Sequence, residues 1–196
     1  MIAPAAADPI NLFRELLERR AAAEQATDVA VALATADASG APSVRMVLLK
    51  SVDERGFVFF TNYESRKAIE LQDNPRAALC FFWPSLAMQV RVEGVVGRIA
   101  TAESDAYFAT RPRDSQLAAW ASRQSAPIAS RDELLARYAE AEARFAGGPV
   151  PRPTCWGGYR LDPRRIEFWE GDVARLHHRT CYIREASSWA VEILQP

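Results

Sequence analysis

The chain has 196 residues, a hydrophobic fraction of 49% and a charged fraction of 25%, the proportions of one globular domain large enough to bury a core. Its formal net charge of −1 excludes a global field that would draw it to nucleic acid or to an anionic membrane, so any anion site has to be local. Three scattered cysteines, Cys80, Cys155 and Cys181, argue against a zinc site and a disulfide framework and indicate a reducing compartment. No charged-then-apolar leader opens the sequence and no apolar run approaches about 18 residues, so the expectation is a cytoplasmic protein.

Residues 1–8 are Ala/Pro-rich and predict a disordered segment, which leaves 9–196 as a single domain. Asp8-Pro9 caps a helix to about Ala23, with Ile10, Leu12, Phe13, Leu16 and Leu17 as its apolar stripe. Strands follow at Val29 to Thr35, Val44 to Leu49 and Phe57 to Thr61, separated by the turns Ala38-Ser39-Gly40 and Asp53-Glu54-Arg55-Gly56. Ser65 reads as the N-cap of a helix from Arg66 to about Gln72, stopped by Asn74-Pro75. Two more strands read as Ala77 to Trp83 and Met88 to Ile99. The second sets Val90, Val92 and Val95 against Arg91 and Glu93.

The middle is helical. One helix runs from Thr101 through Phe108, a second is capped by Asp114 and runs through Trp120, and a third starts at the capping box Ser130-Arg-Asp-Glu133 and ends before Gly147-Gly148. After a stiff linker, Pro149 to Pro153, strands read as Trp156 to Leu161, Arg165 to Glu170 and a hairpin near Cys181 to Leu194. Antiparallel strands, a helical insertion and more strands predict a closed or nearly closed β-barrel with helices outside. A Rossmann sheet is not expected, because no Gly-x-Gly-x-x-Gly follows a strand.

Three clusters carry chemistry. Among 24 basic residues only Lys50 and Lys67 are lysines; either codon bias left them, or they do what a planar guanidinium cannot. Arg66 and Lys67 occupy the first turn after Ser65, where the helix field disfavours cations, and that mismatch points to a bound phosphate. Arg45 and Lys50, five apart, fall on opposite faces of a regular strand. The second cluster, Arg175-Leu-His-His-Arg179, holds both histidines, with Trp169 upstream as a stacking partner. Flanking arginines are expected to keep these imidazoles neutral near pH 7. The same residues also suit a basic surface patch. In the third, Tyr107 and Arg111 share a helix face and Ser115 caps the next helix, a combination that suits a second phosphate or an ordinary helix end. Gln89, Gln124 and Ser125 are polar residues beside apolar segments.

Together these segments resemble the pyridoxamine 5′-phosphate oxidase family. The resemblance rests on Arg45-Met-Val-Leu-Leu-Lys50, Phe60-Thr-Asn-Tyr-Glu-Ser-Arg-Lys67, Gln89-Val-Arg-Val-Glu-Gly94, Tyr107-Phe-Ala-Thr-Arg111-Pro, Trp120-Ala-Ser-Arg-Gln124-Ser125, Trp156-Gly-Gly-Tyr159 and Ile166-Glu-Phe-Trp169. It implies a mainly β fold with α-helices, an FMN-binding split β-barrel, assembled as a homodimer with FMN at the subunit interface. It implies FMN contacts at Arg45, Met46, Val47, Leu48, Leu49, Lys50, Phe60, Thr61, Ser65, Arg66, Lys67, Gln89, Gln124, Ser125, Trp169 and Arg179. Substrate contacts are implied at Lys50, Tyr107, Arg111, Ser115, Arg175 and His177, with Arg175 and His177 nearest the reacting carbon. The implied reaction oxidises pyridoxine 5′-phosphate or pyridoxamine 5′-phosphate to pyridoxal 5′-phosphate and reduces dioxygen to hydrogen peroxide. No nucleic acid, membrane or metal is implied.

The chain departs from the family at His178, where the pattern usually reads Arg-Leu-His-Asp-Arg. If that carboxylate orients its neighbours, His178→Asp is expected to leave activity equal or higher. Residues 1–8 show no match to the family's N-terminal segment. Two other readings share the motifs: a related FMN oxidase of a secondary metabolite such as a phenazine precursor, and a non-catalytic flavin or pyridoxal-phosphate binder. Relatives acting on such metabolites tend to lose the substrate-phosphate ligands that Lys50, Tyr107, Arg111 and Ser115 supply here.

Overall fold

The computed structural model describes residues 8–25, 28–186 and 188–196; the expected disorder of 1–7 lies outside them. Asp8 is described, and its carboxylate accepts the Ile10 N–H at 2.8 Å at the start of α1 (Pro9–Glu24). The strands are β1 (Val29–Ala36), β2 (Pro42–Asp53), β3 (Gly56–Asn62), β4 (Arg76–Trp83), β5 (Met88–Arg98), β6 (Trp156–Glu170), β7 (His178–Arg184) and β8 (Trp189–Ile193). The other helices are α2 (Arg66–Asp73), α3 (Thr101–Thr110), α4 (Arg113–Ala121) and α5 (Arg131–Arg144).

The sheet runs β3-β2-β1-β4-β5-β6-β7-β8, and β3 also pairs with β6. That pairing closes six strands into a barrel and leaves β7 and β8 as a hairpin continuing from the far half of β6. The structure is the split barrel with flanking helices. Inward residues alternate along β1, where Val29, Val31 and Leu33 are buried, as a half-buried strand requires. Helix α1 lays Ile10, Phe13 and Leu16 against this interior. The Phe13 ring sits 4.9 Å from both Phe57 and Phe81 and 5.5 Å from Trp83, edge-on or tilted geometries that suit aromatic quadrupoles. A second core of Phe108, Leu117, Ala141, Val150 and Trp156 joins α3, α4 and α5 to the start of β6.

Several elements differ from the sequence expectation. The two strands read at 156–161 and 165–170 are one continuous strand, β6. Pro163 is tolerated because it faces Gly94 where the β5–β6 register shifts, a bulge that needs no ladder N–H. The extra residue lies on β6, and the alternation of β5 runs through the shift unbroken. Val90, Val92 and Val96 are buried, and Val95, an odd number of residues from Val92, faces outward and not with them as expected. Strand β2 extends beyond Val44 to Leu49 because β1 and β3 supply ladder partners from Pro42 to Asp53. Lys50 falls at a register shift between Leu49 and Ser51, a bulge that re-aims a side chain. Helix α4 begins earlier than Asp114, with Pro112 at the N-cap and Asp114 in the first turn.

Glu70 on α2 ties this helix to β1 and β2. Its Oε2 accepts from Thr35 Oγ1 at 2.5 Å, Ser43 Oγ at 2.6 Å and Arg45 Nη2 at 3.1 Å, and its Oε1 accepts from Arg66 Nε at 2.8 Å. Arg45 Nη1 also donates to Leu33 O at 3.0 Å and Thr35 Oγ1 at 2.6 Å. Burial works to raise the Glu70 carboxyl, but the Ser43, Thr35 and Arg66 hydrogen bonds and the Arg45 charge overcome it and hold the pKa at about 2.

Two outcomes test this frame. At Gly56, φ is +125° and an added Cβ would collide with the Leu161 carbonyl of the closing strand. Gly56→Ala should therefore cost more than about 2 kcal/mol in denaturant unfolding. Glu70→Gln should cost about 2–3 kcal/mol at neutral pH, because Arg45 loses its buried anion. A carboxyl depressed to about 2 from 4.5 stabilises the fold above the unfolded value and loses that contribution as pH falls through the folded one. The gap between wild type and variant should therefore narrow as unfolding is measured from about pH 5 towards pH 2.

Candidate functional site

Strands β2 and β3, the start of α2, helices α3 and α4 and the segment 122–125 surround an open cleft of about 1160 Å³. Of the expected residues, Arg45, Met46, Val47, Leu48, Lys50, Phe60, Thr61, Arg66, Lys67, Tyr107, Arg111, Ser115, Gln124 and Ser125 line it. Asp28, Asn62 and Trp156 also line it, and the sequence reading assigned them no site role. Parity along β2 sets the wall. Val44, Met46 and Leu48 face outward and are exposed, whereas Leu49 packs in the barrel core. Arg45 and Lys50 differ in parity along β2, yet both line the cleft: Arg45 reaches Glu70, and Lys50, at the bulge, brings Nζ to 3.3 Å from Asp28 Oδ1.

Beside α2 the groups are dense. Ser65 has the extended backbone of an N-cap but gives no side-chain cap; its hydroxyl donates to Asn62 O at 2.7 Å. That corrects its reading as a capping side chain: the fully buried hydroxyl instead accepts from Lys67 Nζ at 3.2 Å. Lys67 Nζ also donates to Thr61 Oγ1 at 3.1 Å and Gln124 Oε1 at 3.0 Å. Burial first, and the nearby Arg45 charge second, pull the Lys67 pKa down to about 8. A first turn without a side-chain cap, carrying Arg66 and a crowded lysine, provides the donors and the positive field that an anion would satisfy.

The α3–α4 side is aromatic and cationic. Tyr107 stacks on Phe60 with centroids 3.9 Å apart, and Trp156 lies 5.3 Å from Phe60 and 6.2 Å from Tyr107 in nearly parallel planes. The Arg111 guanidinium rests 4.5 Å above Trp156. Its Nη1 is buried without a hydrogen-bond partner, and burial lowers its pKa. A buried cationic donor left unpaired is costly, so it marks where an acceptor belongs. Ser115 lines the cleft from inside the first turn of α4, not from the cap position expected for it.

The remaining expected residues form a second group outside the cleft. Gln89, Trp169 and Arg179 are cross-strand neighbours on β5, β6 and β7. His177, just before β7, holds its ring 4.5 Å from that of Trp169. Arg179 is engaged by Glu167 Oε1 at 2.9 Å and Gln195 O at 2.8 Å, and the buried Glu167 also takes Arg91 at 2.6 Å. Arg175 is exposed on the connecting turn with φ 62°. Within one chain the two groups do not share a pocket. Among the described residues no cluster of His, Cys, Asp or Glu suits a metal ion. The unassigned Glu70 and Trp156 had faint signals in the sequence: an acid four residues after Arg66, and an aromatic before Gly157-Gly158.

Comparison with known proteins agrees with this geometry. Residues 17–145 match the family model for pyridoxamine 5′-phosphate oxidase, and 156–196 match that for the pyridoxine 5′-phosphate oxidase C-terminal dimerisation region. A pyridoxine/pyridoxamine 5′-phosphate oxidase of Anaeromyxobacter dehalogenans is 62% identical over 192 residues, covering 98% of this chain and 97% of that one. Another, from Rubrobacter xylanophilus, is 58% identical over 189 residues, covering 96% and 87%. Among solved structures, PhzG from Burkholderia lata 383, in complex with tetrahydrophenazine-1-carboxylic acid, superposes with a TM-score of 0.90 at 34% identity over 96% of this chain and 93% of that one. With family models over most of its length and relatives this similar, the chain belongs to the pyridoxamine 5′-phosphate oxidase family.

Proposed function

We propose that this protein oxidises pyridoxine 5′-phosphate or pyridoxamine 5′-phosphate to pyridoxal 5′-phosphate with FMN, reducing dioxygen to hydrogen peroxide. The supporting observation is one cleft faced by two anion-gripping sets, Arg66 with Lys67 and Lys50 with Tyr107, Arg111 and Ser115. The first set suits the FMN phosphate and the second the substrate phosphate, for which the unpaired Arg111 Nη1 offers a buried donor. The donor set fits the cofactor: an uncapped helix start, a crowded buried lysine, and no dinucleotide fingerprint that would favour FAD. FMN, when bound, supplies the hydride acceptor and the reaction with dioxygen; the chain supplies placement and charge.

In this reading Arg45, Met46, Val47, Leu48, Lys50, Phe60, Thr61, Arg66, Lys67, Gln124 and Ser125 hold FMN from one copy of the chain, and Leu49 and Ser65, buried behind that wall, support them. Gln89, Trp169 and Arg179 hold it from a second copy, which also brings Arg175 and His177 to the substrate. A C₂ homodimer does this in one step, because an isologous interface presents both groups twice. The exposed Val44, Met46 and Leu48 beside the cleft offer the apolar surface for it. The same reading has the protein work in the cytoplasm, a reducing compartment with which the free thiols of Cys80, Cys155 and Cys181 are compatible.

The likeness to PhzG gives a second reading, oxidation of a phenazine precursor. The retained phosphate ligands favour the phosphorylated substrates. Purified protein incubated in air with each phosphorylated vitamer, and separately with a reduced phenazine carboxylic acid, decides between them. Peroxide and aldehyde are expected with the vitamers; turnover only with the phenazine would reverse the reading, and none with either would leave a binder.

The Lys67 pKa predicts how FMN binding responds to pH. A phosphate beside Lys67 raises its pKa above the free value of about 8, so affinity is greatest below that value and falls as pH rises through it. Fluorescence titration from about pH 7 to 9.5 should show FMN weakening by up to roughly tenfold per pH unit above 8. Lys67→Gln should bind weakly throughout and lose this slope.

A further inference from the structure

The turn between β6 and β7 is organised by Asp172. One oxygen, Oδ1, accepts the Val173 N–H at 2.6 Å and caps a short 3₁₀ turn, Val173–Arg175. The other, Oδ2, lies 3.2 Å from His178 Nε2. The Asp172 backbone N–H donates to His177 Nδ1 at 3.2 Å. With Nδ1 accepting, a neutral His177 carries its proton on Nε2. The next two residues in the turn, Ala174 and Arg175, both hold left-handed backbone, at φ 56° and 62°. Residues other than glycine keep that conformation only where their surroundings impose it. Gly171 N–H to Ala87 O at 2.8 Å and Leu176 N–H to Val173 O at 3.2 Å complete the frame.

The family pattern puts a carboxylate at the position of His178. Here an imidazole stands at 178 and a carboxylate faces it across the turn, from 172. We propose that Asp172 and His178 form a positioning pair that sets the tautomer and ring direction of His177 and holds Arg175 in its left-handed conformation, replacing the carboxylate expected at position 178. Neither residue is a catalytic residue; both act through their neighbours. The proposal rests on the reading that Arg175 and His177 meet the substrate. It also reverses the sequence-based expectation for His178→Asp, which would set a second carboxylate against Asp172 and remove the group it binds.

The test uses the FMN-loaded enzyme and an activity-independent readout. Because the chain has only two histidines, long-range ¹H–¹⁵N spectra of ¹⁵N-histidine-labelled protein resolve both rings. Wild type should show His177 as a single tautomer protonated on Nε2; Asp172→Ala should show an average of the two. In steady-state assays Asp172→Ala should lower kcat/KM on the order of tenfold with FMN still bound, and His178→Asp should also lower it. Adding Asp172→Asn to His178→Asp should restore much of the loss, a coupling that independent structural damage would not give. An unchanged His177 tautomer in Asp172→Ala, or purely additive losses in the double variant, would overturn the pair. Absence of turnover by wild type would instead strike at the proposed function, while the spectra would still decide the pair.

Discussion

One edge of strand β6 serves two neighbours in succession. Its first half pairs with β3, from Trp156 opposite Asn62 to Leu161 opposite Phe57, and closes the barrel. Its second half pairs with β7, from Arg165 opposite Ile183 to Glu170 opposite His178. Strand β5 spans the other edge throughout, which requires the shift at Gly94 and Pro163. Everything functional is arranged about this division. The closing half carries Trp156 into the cleft, and the Gly158 N–H donates to Ser104 Oγ at 3.1 Å, anchoring α3. The far half carries Trp169 and, through β7, Arg179. A strand that left the barrel at another residue would move both groups.

Charge in the cleft follows from the same frame. The chain is nearly neutral, yet Arg45, Lys50, Arg66, Lys67 and Arg111 face one space. Glu70 balances two of them, Arg45 and Arg66, from below. Lys67 Nζ donates to neutral oxygens of Thr61, Ser65 and Gln124, and Arg111 has aromatic faces and an unpaired donor. The compensation is enough to fold the site and leaves positive charge available to a ligand. This is a way to bind phosphate without a large net charge, since fields act locally where water is partly excluded.

The second group stands apart from the cleft. Trp169, His177 and Arg175 lie on the hairpin side of β6, away from the cleft cations, and it is the proposed homodimer that would bring the two groups to one reaction centre. The turn bearing Arg175 and His177 carries strained backbone held by local hydrogen bonds around Asp172. In the proposed homodimer rigid placement there matters, because a group reaching the partner's cleft has no covalent neighbour to orient it.

Much of the architecture was legible in the sequence, since the apolar alternation of β1, the aromatic run of β3 and the Ser130–Glu133 capping box each carry their own local signal. So were the residues of the cleft, through motif order and spacing. Register was not. Pro163 reads as a strand break until its partner Gly94 is known, whereas the outward face of Val95 follows from alternation alone, three residues on from Val92. Nor was the partner of Arg45, because Glu70 meets it across 25 residues. Ser65 carried a correct cap position and the wrong hydroxyl contact, because a buried lysine competed for that oxygen. Local periodicity, caps and turns determined the elements, and the resemblance of the motifs to a family named the residues of the site. Which cations are paired and which are left for a ligand were decided only when distant strands met, because long-range electrostatics and strand register depend on contacts that no sequence window contains.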